Sequence, residues 1–266
     1  MTVRDAFLQA LTSLIGRRVF YPVNKALFLV ALRGLGFNAA YGAPISHPEM
    51  RFLRRTLGRT VRTVLDVGAN RGDYSRFVRT LAPDAVIHAF EPNRRTFDLL
   101  RDAASEANVQ PFHAACGARP GTLKLANLAD PTGSTFASLV PEVALHASHA
   151  TGIPLGSPED VPVVTLDEHC REHGLDRIDL LKIDTEGFEL EVLKGAAGLI
   201  ADKRIGVVQL EFNYCNVYSR VFMRDIAAAL PGYGLHRLLY SGELVDLEPE
   251  HKFRELFTYH IVVAIP

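Results

Sequence analysis

The residues Val64-Leu65-Asp66-Val67-Gly68-Ala69-Asn70-Arg71-Gly72-Asp73-Tyr74-Ser75 indicate an α/β fold with a ligand-binding turn. They predict a short apolar strand, a turn that holds two glycines, and a helix that begins near Gly72. A glycine lets the backbone approach a ligand where a side chain would block it. The first turn of a helix offers free N–H groups and the positive end of a dipole to a carboxylate or phosphate.

A second apolar strand is predicted from Val86 to Phe90, and the carboxylate of Glu91 follows it. In doubly wound sheets an acidic residue at this position accepts hydrogen bonds from ribose hydroxyls. The dinucleotide pattern G-x-G-x-x-G is not met, because the third glycine is missing. Asp66 would repel a pyrophosphate but suits a ligand that carries ammonium and sulfonium groups. These residues therefore predict S-adenosylmethionine as the cofactor and disfavour a dinucleotide-dependent oxidoreductase.

Each part of this cofactor has expected contacts along the chain. The methionine end is expected beside the turn after the first strand, with the first helical turn reaching its carboxylate. Glu91 is expected to bind the ribose, and the residues after it to line the adenine edge. Two small residues at the end of the third strand would let the adenine ring lie flat. The expected cofactor-binding residues are Asp66, Gly68, Ala69, Asn70, Gly72, Tyr74, Ser75, Glu91, Pro92, Asn93, Ala114 and Ala115.

Further motifs accompany these two segments. They are His113-Ala114-Ala115-Cys116-Gly117, a Gly133-Ser134-Thr135 turn, and a long block that runs from Val164-Thr165-Leu166-Asp167 through Asp179 to Gly195. With them the chain resembles the FkbM family of S-adenosylmethionine-dependent methyltransferases over most of its middle part. The resemblance implies a Rossmann-like class I methyltransferase fold, with a mainly parallel seven-stranded sheet whose last strand is antiparallel. Family members of this kind mostly methylate hydroxyl oxygens on sugars, glycolipids or secondary metabolites.

Strands and helices are predicted to alternate from residue 60 onward, which favours a parallel sheet covered by helices on both faces. The last two strands are expected to pair antiparallel. The predicted strands are 62–67, 86–90, 109–115, 178–183, 205–212, 234–240 and 257–265, and the predicted helices are 73–81, 94–106, 189–200 and 221–230.

Residues 121–166 interrupt this alternation. Two strand-like pieces, Thr122–Leu128 and Val161–Leu166, enclose a stretch rich in proline, glycine, serine and histidine. A long irregular segment inside a compact domain is usually functional or disordered. We interpret it as a lid over the acceptor, and the alternative is a surface insertion. The expected substrate-binding residues in it are Ser134, Thr135, His146 and His149.

The chemistry requires a group that removes the proton of a weakly nucleophilic alcohol. In an open α/β sheet, ligands bind beyond the carboxyl ends of the strands. Asp184 and Glu186 follow one predicted strand and Glu211 closes the next, so these three are the expected catalytic residues. Asp184 is the preferred base or metal ligand. The same three carboxylates would suit a hard divalent cation such as Mg²⁺. Alternatively, Glu186 and Glu211 only orient the backbone.

Residues 1–58 are expected to form a separate helical segment, followed by the methyltransferase domain at 59–266. Apolar residues recur at helical spacing between Phe7 and Phe20, and Ala26–Leu32 is apolar but too short to span a bilayer. No small-residue cleavage site follows. We favour a helical cap packed over the domain. The alternative is a helix on the cytoplasmic membrane surface, where basic flanks meet anionic lipid.

Composition narrows the possible partners. Apolar residues make up 48 % of the 266, and the net charge of −1 comes without a basic run, which argues against nucleic-acid binding. The three cysteines are far apart and fit neither a metal site nor a disulfide framework, so a cytoplasmic setting is expected. The apolar N-terminal helices could also pack against a second subunit.

The sequence therefore favours an S-adenosylmethionine-dependent methyltransferase that acts on a hydroxyl of a small-molecule or glycan acceptor. One alternative keeps the enzyme class but transfers the methyl group to nitrogen or to a carboxylate of a small metabolite. Another is a catalytically inactive nucleotide-binding module, against which the intact turn from Asp66 to Gly72 and Glu91 argue.

Overall fold

The computed structural model describes residues 2–38, 45–56, 61–107, 109–130, 137–247 and 254–266. Its strands are β1 (Thr63–Val67), β2 (Val86–Phe90), β3 (Gln110–Phe112), β4 (Ala115–Cys116), β5 (Gly121–Leu125), β6 (Glu159–Val164), β7 (Ile178–Ile183), β8 (Ile205–Phe212), β9 (Gly234–Leu238), β10 (Leu244–Asp246) and β11 (His260–Ile265). Its helices are α1 (Val3–Ile15), α2 (Tyr21–Gly34), α3 (His47–Thr56), α4 (Asp73–Leu81), α5 (Arg94–Ala107), α6 (Pro141–Thr151), α7 (Leu166–Glu172), α8 (Glu189–Lys194), α9 (Ala197–Ala201), α10 (Cys215–Ser219) and α11 (Met223–Ala229).

The main sheet has the strand order β10-β9-β11-β8-β7-β1-β2-β3. The neighbouring strands β8, β7, β1, β2 and β3 run parallel to one another. Strand β11 pairs antiparallel with both β8 and β9. This arrangement confirms the predicted α/β fold with its mainly parallel sheet and antiparallel last strand. An eighth strand, β10, was not predicted, because three residues give too short a pattern to distinguish a strand from a loop.

The centre of the sheet is apolar on both faces, as a parallel sheet covered by helices requires. The side chains of Ile178, Leu180, Leu181 and Ile183 in β7 are fully buried. One hydrophobic cluster lies where α8, α9 and α11 cover the sheet, and a second lies where α3, α4 and α5 cover it. The burial of β7 holds its carboxyl end, and the residues that follow it, in a fixed position.

The two strands predicted within 121–166 are present as β5 and β6, and the role of this segment as a lid stays a prediction. Strand β6 pairs antiparallel with β5 and parallel with β4, so these three form a second, small sheet. Between β5 and β6 lies α6, a helix that begins at Pro141 and buries Val143, Ala144 and Ala147. The predicted strand 109–115 is also divided, because the chain turns after Phe112 and β4 joins the small sheet. Sequence reasoning missed α6, although three of its eleven residues are alanine, a strong helix former.

The N-terminal helices form as predicted, but they do not pack over the domain. From residue 2 to 31, every side chain with a described environment is exposed except those of Phe20 and Asn24, which are half-buried. The interpretation as a cap was therefore wrong, because a cap would bury one helical face. Within the described part of the chain, no helix combines the length and the apolar character needed to cross a membrane.

Candidate functional site

The turn between β1 and α4 is held between the ends of two neighbouring strands. The amides of Gly68 and Ala69 both donate to the carbonyl oxygen of Phe90, at 3.0 and 2.9 Å. Gly68 has a φ of +77°, and a Cβ at this residue would overlap the carbonyl oxygen of Asp184. The glycine therefore brings the β1 turn into direct contact with the residue that follows β7. This contact joins the expected cofactor loop to the expected catalytic carboxylate.

The carboxylate of Glu91 lies beside this turn in a geometry that suits a ribose. Its Oε2 accepts from the amide of Asn70 at 3.0 Å, and its Oε1 accepts from the amide of Asn93 at 2.8 Å. Each oxygen keeps a lone pair for one further donor, so two vicinal hydroxyls of a nucleoside fit the group. Burial raises the pKa of Glu91 to about 7, although the two amides oppose the shift.

Asp66 lies beneath the turn and has no exposed surface. The Ser75 hydroxyl donates to its Oδ2 at 2.6 Å, and Lys182 Nζ lies 3.6 Å from its Oδ1. Asp66 and Ser75 thus bond to each other in the core, and their expected contact with the methionine end stays a prediction. Their bond fixes the start of α4 to the end of β1.

The side chains of two further expected cofactor residues have partners within the protein, and their cofactor contacts also stay predictions. Tyr74 points into the core, where its hydroxyl donates to Gln209 Oε1 at 3.1 Å. Asn93 caps α5 by accepting from the amide of Thr96 at 3.0 Å, and its side-chain amide donates to Glu159 at 3.1 Å. Side-chain direction at these positions depends on long-range packing, which the local motif does not contain.

The predicted adenine side lies where β2, β3 and the small sheet meet. Pro92 is half-buried, and its carbonyl oxygen lies 3.0 Å from His113 Nε2. Ala114 and Ala115 are buried, and Ala115 pairs with Val163 in the small sheet. Their role beside an adenine ring stays a prediction, as do the ligand contacts of Gly72 and Asn70.

Lys182 is a buried cation between the turn and the acidic residues. Its Nζ donates to Asp184 Oδ2 at 3.1 Å and to the carbonyl oxygen of Gly68 at 3.2 Å. Burial alone would lower the pKa of Lys182, but the carboxylates of Asp184, Asp66 and Glu49 together raise it. Lys182 is therefore an ion-pair partner of Asp184 that also ties this carboxylate to the Gly68 turn.

The other two predicted catalytic carboxyls lie near Asp184 but in different surroundings. Glu186 Oε2 accepts from the Cys215 thiol at 3.1 Å, and Glu211 accepts from the side-chain amide of Asn213. Burial and repulsion from Asp184 raise the pKa of Glu186 to about 8. Burial, Asp184 and Glu186 raise the pKa of Glu211 well above its usual range. The raised pKa of Glu186 favours its protonated form at neutral pH, while Asp184 is paired with Lys182.

The predicted divalent-metal site at Asp184, Glu186 and Glu211 is not formed. Among the residues that the structure covers, no three histidine, cysteine, aspartate or glutamate side chains converge as metal ligands. The carboxyls interact electrostatically, but hard cations require several oxygens around one point. The expectation of bound Mg²⁺ is corrected accordingly.

The predicted substrate residues divide into two groups. Ser134 and Thr135 lie outside the described residues. His146 and His149 lie exposed on α6 rather than in a loop. The Nδ1 of His146 lies 2.8 Å from the Tyr218 hydroxyl, and its ring centroid lies 5.0 Å from that of Tyr214.

Sequence reasoning missed the residues that shape the acidic turn after β7. Glu189 accepts from the amides of Thr185 and Gly187, at 3.1 and 3.0 Å, and Asn216 donates to it at 3.0 Å. The Ser138 hydroxyl donates to the carbonyl oxygen of Glu186 at 2.8 Å. A carboxylate four residues after Thr185, at the start of a helix, is the local signal that could have identified Glu189.

The strand order, the glycine turn after β1 and the carboxylate after β2 together define a class I methyltransferase fold. Within that class, this chain belongs to the FkbM methyltransferase family. The family model for the methyltransferase FkbM domain matches residues 66–252, which include every carboxylate described above except Glu49.

Several characterised proteins are similar to parts of the chain. Methyltransferase sdnD of Sordaria araneosa is 34 % identical over 50 % of this chain and 59 % of its own length. The 2-O-methyltransferase NoeI of Sinorhizobium fredii is 26 % identical over 65 % of this chain and 72 % of its own length. The hexuronic acid methyltransferase AglP of Haloferax volcanii is 27 % identical over 54 % of each chain.

One similar solved structure is that of an FkbM methyltransferase from Methylobacillus flagellatus. It is 14 % identical, with a TM-score of 0.45, and the match covers 76 % of this chain and 43 % of that one. A likeness this distant has no bearing on activity.

Proposed function

We propose that this chain transfers a methyl group from S-adenosylmethionine to a hydroxyl group of a sugar or another polyhydroxylated acceptor. The observation that carries the proposal is the contact between the Gly68 turn and Asp184. It brings a half-buried carboxylate next to the loop expected to hold the reactive end of the cofactor. An alcohol needs such a group, because it is a weak nucleophile until its proton is removed.

The bound cofactor supplies an electrophilic methyl group on a sulfonium. Asp184 accepts the hydroxyl proton as the new C–O bond forms and the S–CH₃ bond breaks. Lys182, 3.1 Å from Asp184 Oδ2, holds this carboxylate in place. Glu186 and Glu211, both with raised pKa values, donate hydrogen bonds to neighbouring hydroxyls of the acceptor. Alignment of the acceptor oxygen behind the methyl carbon supplies most of the rate enhancement.

Aromatic side chains near the acidic turn suit a sugar ring. Tyr214 directly precedes α10 and Tyr218 lies on it, and the ring centroid of His146 on α6 is 5.0 and 5.4 Å from theirs. Flat aromatic faces contact the C–H groups of a pyranose, while the carboxyls bind its hydroxyls. The names of two relatives, a 2-O-methyltransferase and a hexuronic acid methyltransferase, support an acceptor of this kind.

The first experiment measures binding of S-adenosylhomocysteine by calorimetry to the wild type and to Glu91→Ala. We expect the affinity to fall by about a hundredfold or more in the variant, because two charge-assisted hydrogen bonds are lost. Absence of binding to the wild type would contradict the methyltransferase proposal itself.

The second experiment tests the nucleophile. Transfer of a labelled methyl group to the p-nitrophenyl glycosides of glucose and glucuronic acid is compared for the wild type, Asp184→Asn and Asp176→Asn. Asp176 is fully exposed and serves as the matched control. We expect Asp184→Asn to lower kcat by roughly a hundredfold or more while the affinity for S-adenosylhomocysteine is kept. Retained activity of Asp184→Asn on the glucoside, which offers only hydroxyl groups, would contradict Asp184 as the base. Methylation of the glucuronide alone, unaffected by the substitution, would favour transfer to a carboxylate.

A further inference from the structure

Helices α1 and α2, with the residues that join them, form a helix pair that exposes an unusual amount of apolar surface. Of the 21 large apolar side chains that are exposed among the described residues, 13 lie between Phe7 and Leu35. The exposed fractions reach 66 % for Phe7, 60 % for Phe28 and 68 % for Val30. Exposed apolar patches of this extent on a soluble domain usually mark an interaction surface.

The helix pair is an ordered unit that is anchored to the domain at one end. The side-chain amide of Asn24 donates to a carbonyl at the C-terminal end of α1, at 2.7 Å. After α2, the fully buried ring of Phe37 packs under the guanidinium of Arg237, at 4.0 Å. The amide of Asn38 then donates to the carbonyl of Tyr259 at 2.8 Å. The apolar surface is therefore held away from the core rather than folded into it.

The charges of the helix pair are almost all positive. The only acidic residue, Asp5, is used in a capping box with Thr2 at the start of α1. The basic residues are Arg4, Arg17, Arg18, Lys25 and Arg33. A second copy of the chain would bring these cations together, which opposes association. An interface that accepts both apolar side chains and cations is the headgroup region of an anionic bilayer.

We propose that the helix pair binds the surface of a membrane that contains anionic phospholipid. The 14 residues of α2 extend over about 21 Å, less than the hydrocarbon thickness of about 30 Å, so the helix lies in the plane of the interface. Its exposed apolar residues from Ala26 to Ala31 enter the acyl boundary, and Arg17, Arg18 and Lys25 contact the phosphates. This proposal is independent of the methyl acceptor and of cofactor binding.

The anchor lies on the catalytic side of the sheet. Tyr259 directly precedes β11, and His260 pairs with Phe212 at the carboxyl end of β8. Burial raises the pKa of the Tyr259 hydroxyl. Four nearby carboxyls raise this pKa further, and they are, in order of effect, Glu211, Glu49, Asp184 and Glu186. A helix pair bound to a bilayer would therefore keep the acidic edge of the sheet close to the membrane surface.

The test is sedimentation of the full chain with vesicles of phosphatidylcholine alone or of an equimolar mixture with phosphatidylglycerol. We expect binding to the mixed vesicles and little to the neutral ones. Arg17→Glu with Arg18→Glu should lower the partition coefficient by about thirtyfold or more, since each cation near an anionic surface contributes substantially. Lys124→Glu with Arg171→Glu makes the same charge change at exposed positions of the domain and should leave binding unchanged.

A second variant tests the apolar part, and the fold is checked separately. Leu27→Ser with Phe28→Ser should also weaken binding, yet both side chains are exposed, so thermal stability should not change. Equal binding to neutral and mixed vesicles, or no binding to either, would overturn the proposal. So would a dimer in sedimentation equilibrium that Phe28→Ser dissociates, because a second copy would then cover the surface.

Discussion

At the scale of single residues, Gly68 is where conformation and packing impose the strongest requirement. Its φ is +77°, and the space of a Cβ is filled by the carbonyl of Asp184. A side chain here would strain the backbone and push β7 away from β1. The cofactor loop and the candidate base Asp184 meet at this point. A substitution that alters the packing of Gly68 would therefore also move these two parts of the site relative to each other.

We expect Gly68→Ala to lower the free energy of unfolding by at least about 3 kcal/mol and to abolish binding of S-adenosylhomocysteine. The matched control is Gly152→Ala, whose φ is +73° but whose Cβ would meet no atom within 4 Å. That variant carries the left-handed strain alone, about 1 kcal/mol. Chemical denaturation measures both variants, and equal losses would show that the contact with Asp184 is unimportant.

Glu91 makes cofactor binding dependent on pH. Its pKa is raised to about 7 by burial, and the ionised form is the better acceptor of ribose hydroxyl hydrogen bonds. Binding should therefore weaken as pH falls below about 7, by up to about tenfold per unit, and level off above it. Calorimetry with S-adenosylhomocysteine from about pH 6 to about pH 8 measures this, and Glu91→Gln should remove the dependence.

The sequence was most informative for residues tied to the backbone of the β1 turn. The positions of Glu91 and the glycines were predictable, because they follow from strand ends and φ angles. Tyr74, Ser75 and Asn93 were not, since each side chain follows a partner 9 to 135 positions away rather than its own motif. Such partners are determined only when the sheet has assembled.

At the scale of elements, the small sheet and α6 connect the variable part of the chain to the acidic turn. The Ser138 hydroxyl donates to the carbonyl of Glu186 and accepts from the amide of Val140, at 2.8 and 3.0 Å. Glu186 has a φ of +53°, which is uncommon for a residue with a side chain. An external hydrogen bond at this turn helps to hold that conformation.

Ser138→Ala should lower kcat by about tenfold while the affinity for S-adenosylhomocysteine stays within about twofold. The expected reason is a misplaced Glu186, with the cofactor loop unaffected. Thr151→Ala is the control, because Thr151 also donates its hydroxyl to a backbone carbonyl of this segment, within α6. Equal effects of the two substitutions on kcat would contradict a specific role for Ser138.

Sequence periodicity predicted the bounds of the long helices and strands closely and those of the short ones poorly. Helices α4 and α5 and strands β2, β7 and β8 agree with their predicted bounds to within one residue. The predicted helix 189–200 is instead two helices, because the Gly195 carbonyl accepts from the Asp167 amide outside the helix, at 2.9 Å. Tertiary contacts of this kind override a local pattern.

At the scale of the whole molecule, buried titratable groups make stability depend on pH. Burial lowers the pKa of His88 to about 4 and that of His169 and His260 to about 3. As pH falls below about 6.5, the unfolded chain binds protons at these histidines before the folded one does, so their contribution to the free energy of unfolding decreases. Burial raises the pKa of Glu91 to about 7 and that of Glu186 to about 8. As pH rises from about 4.5 through about 8, the folded chain holds protons that the unfolded one has released, so the free energy of unfolding decreases.

Above about pH 6.5 only the carboxyls of this set still change protonation, so Tm should fall between about pH 6.5 and about pH 8.5. Glu186→Gln should make that fall smaller, because the uncharged amide has no proton to lose. Scanning calorimetry at the two pH values measures this. Glu142→Gln, at an exposed position of α6, should leave the fall unchanged. An identical fall in wild type and Glu186→Gln would contradict the assignment.

The two outer strands of the main sheet have a consequence for solution behaviour. Strand β3 and strand β10 are each three residues long, and Pro111 in β3 has no amide proton to donate. Edge strands that are short or contain proline offer few backbone hydrogen bonds to a strand of another molecule. Pairing of edge strands between molecules is a common route to amyloid-like aggregation. These two borders of the main sheet should therefore not start that form of aggregation.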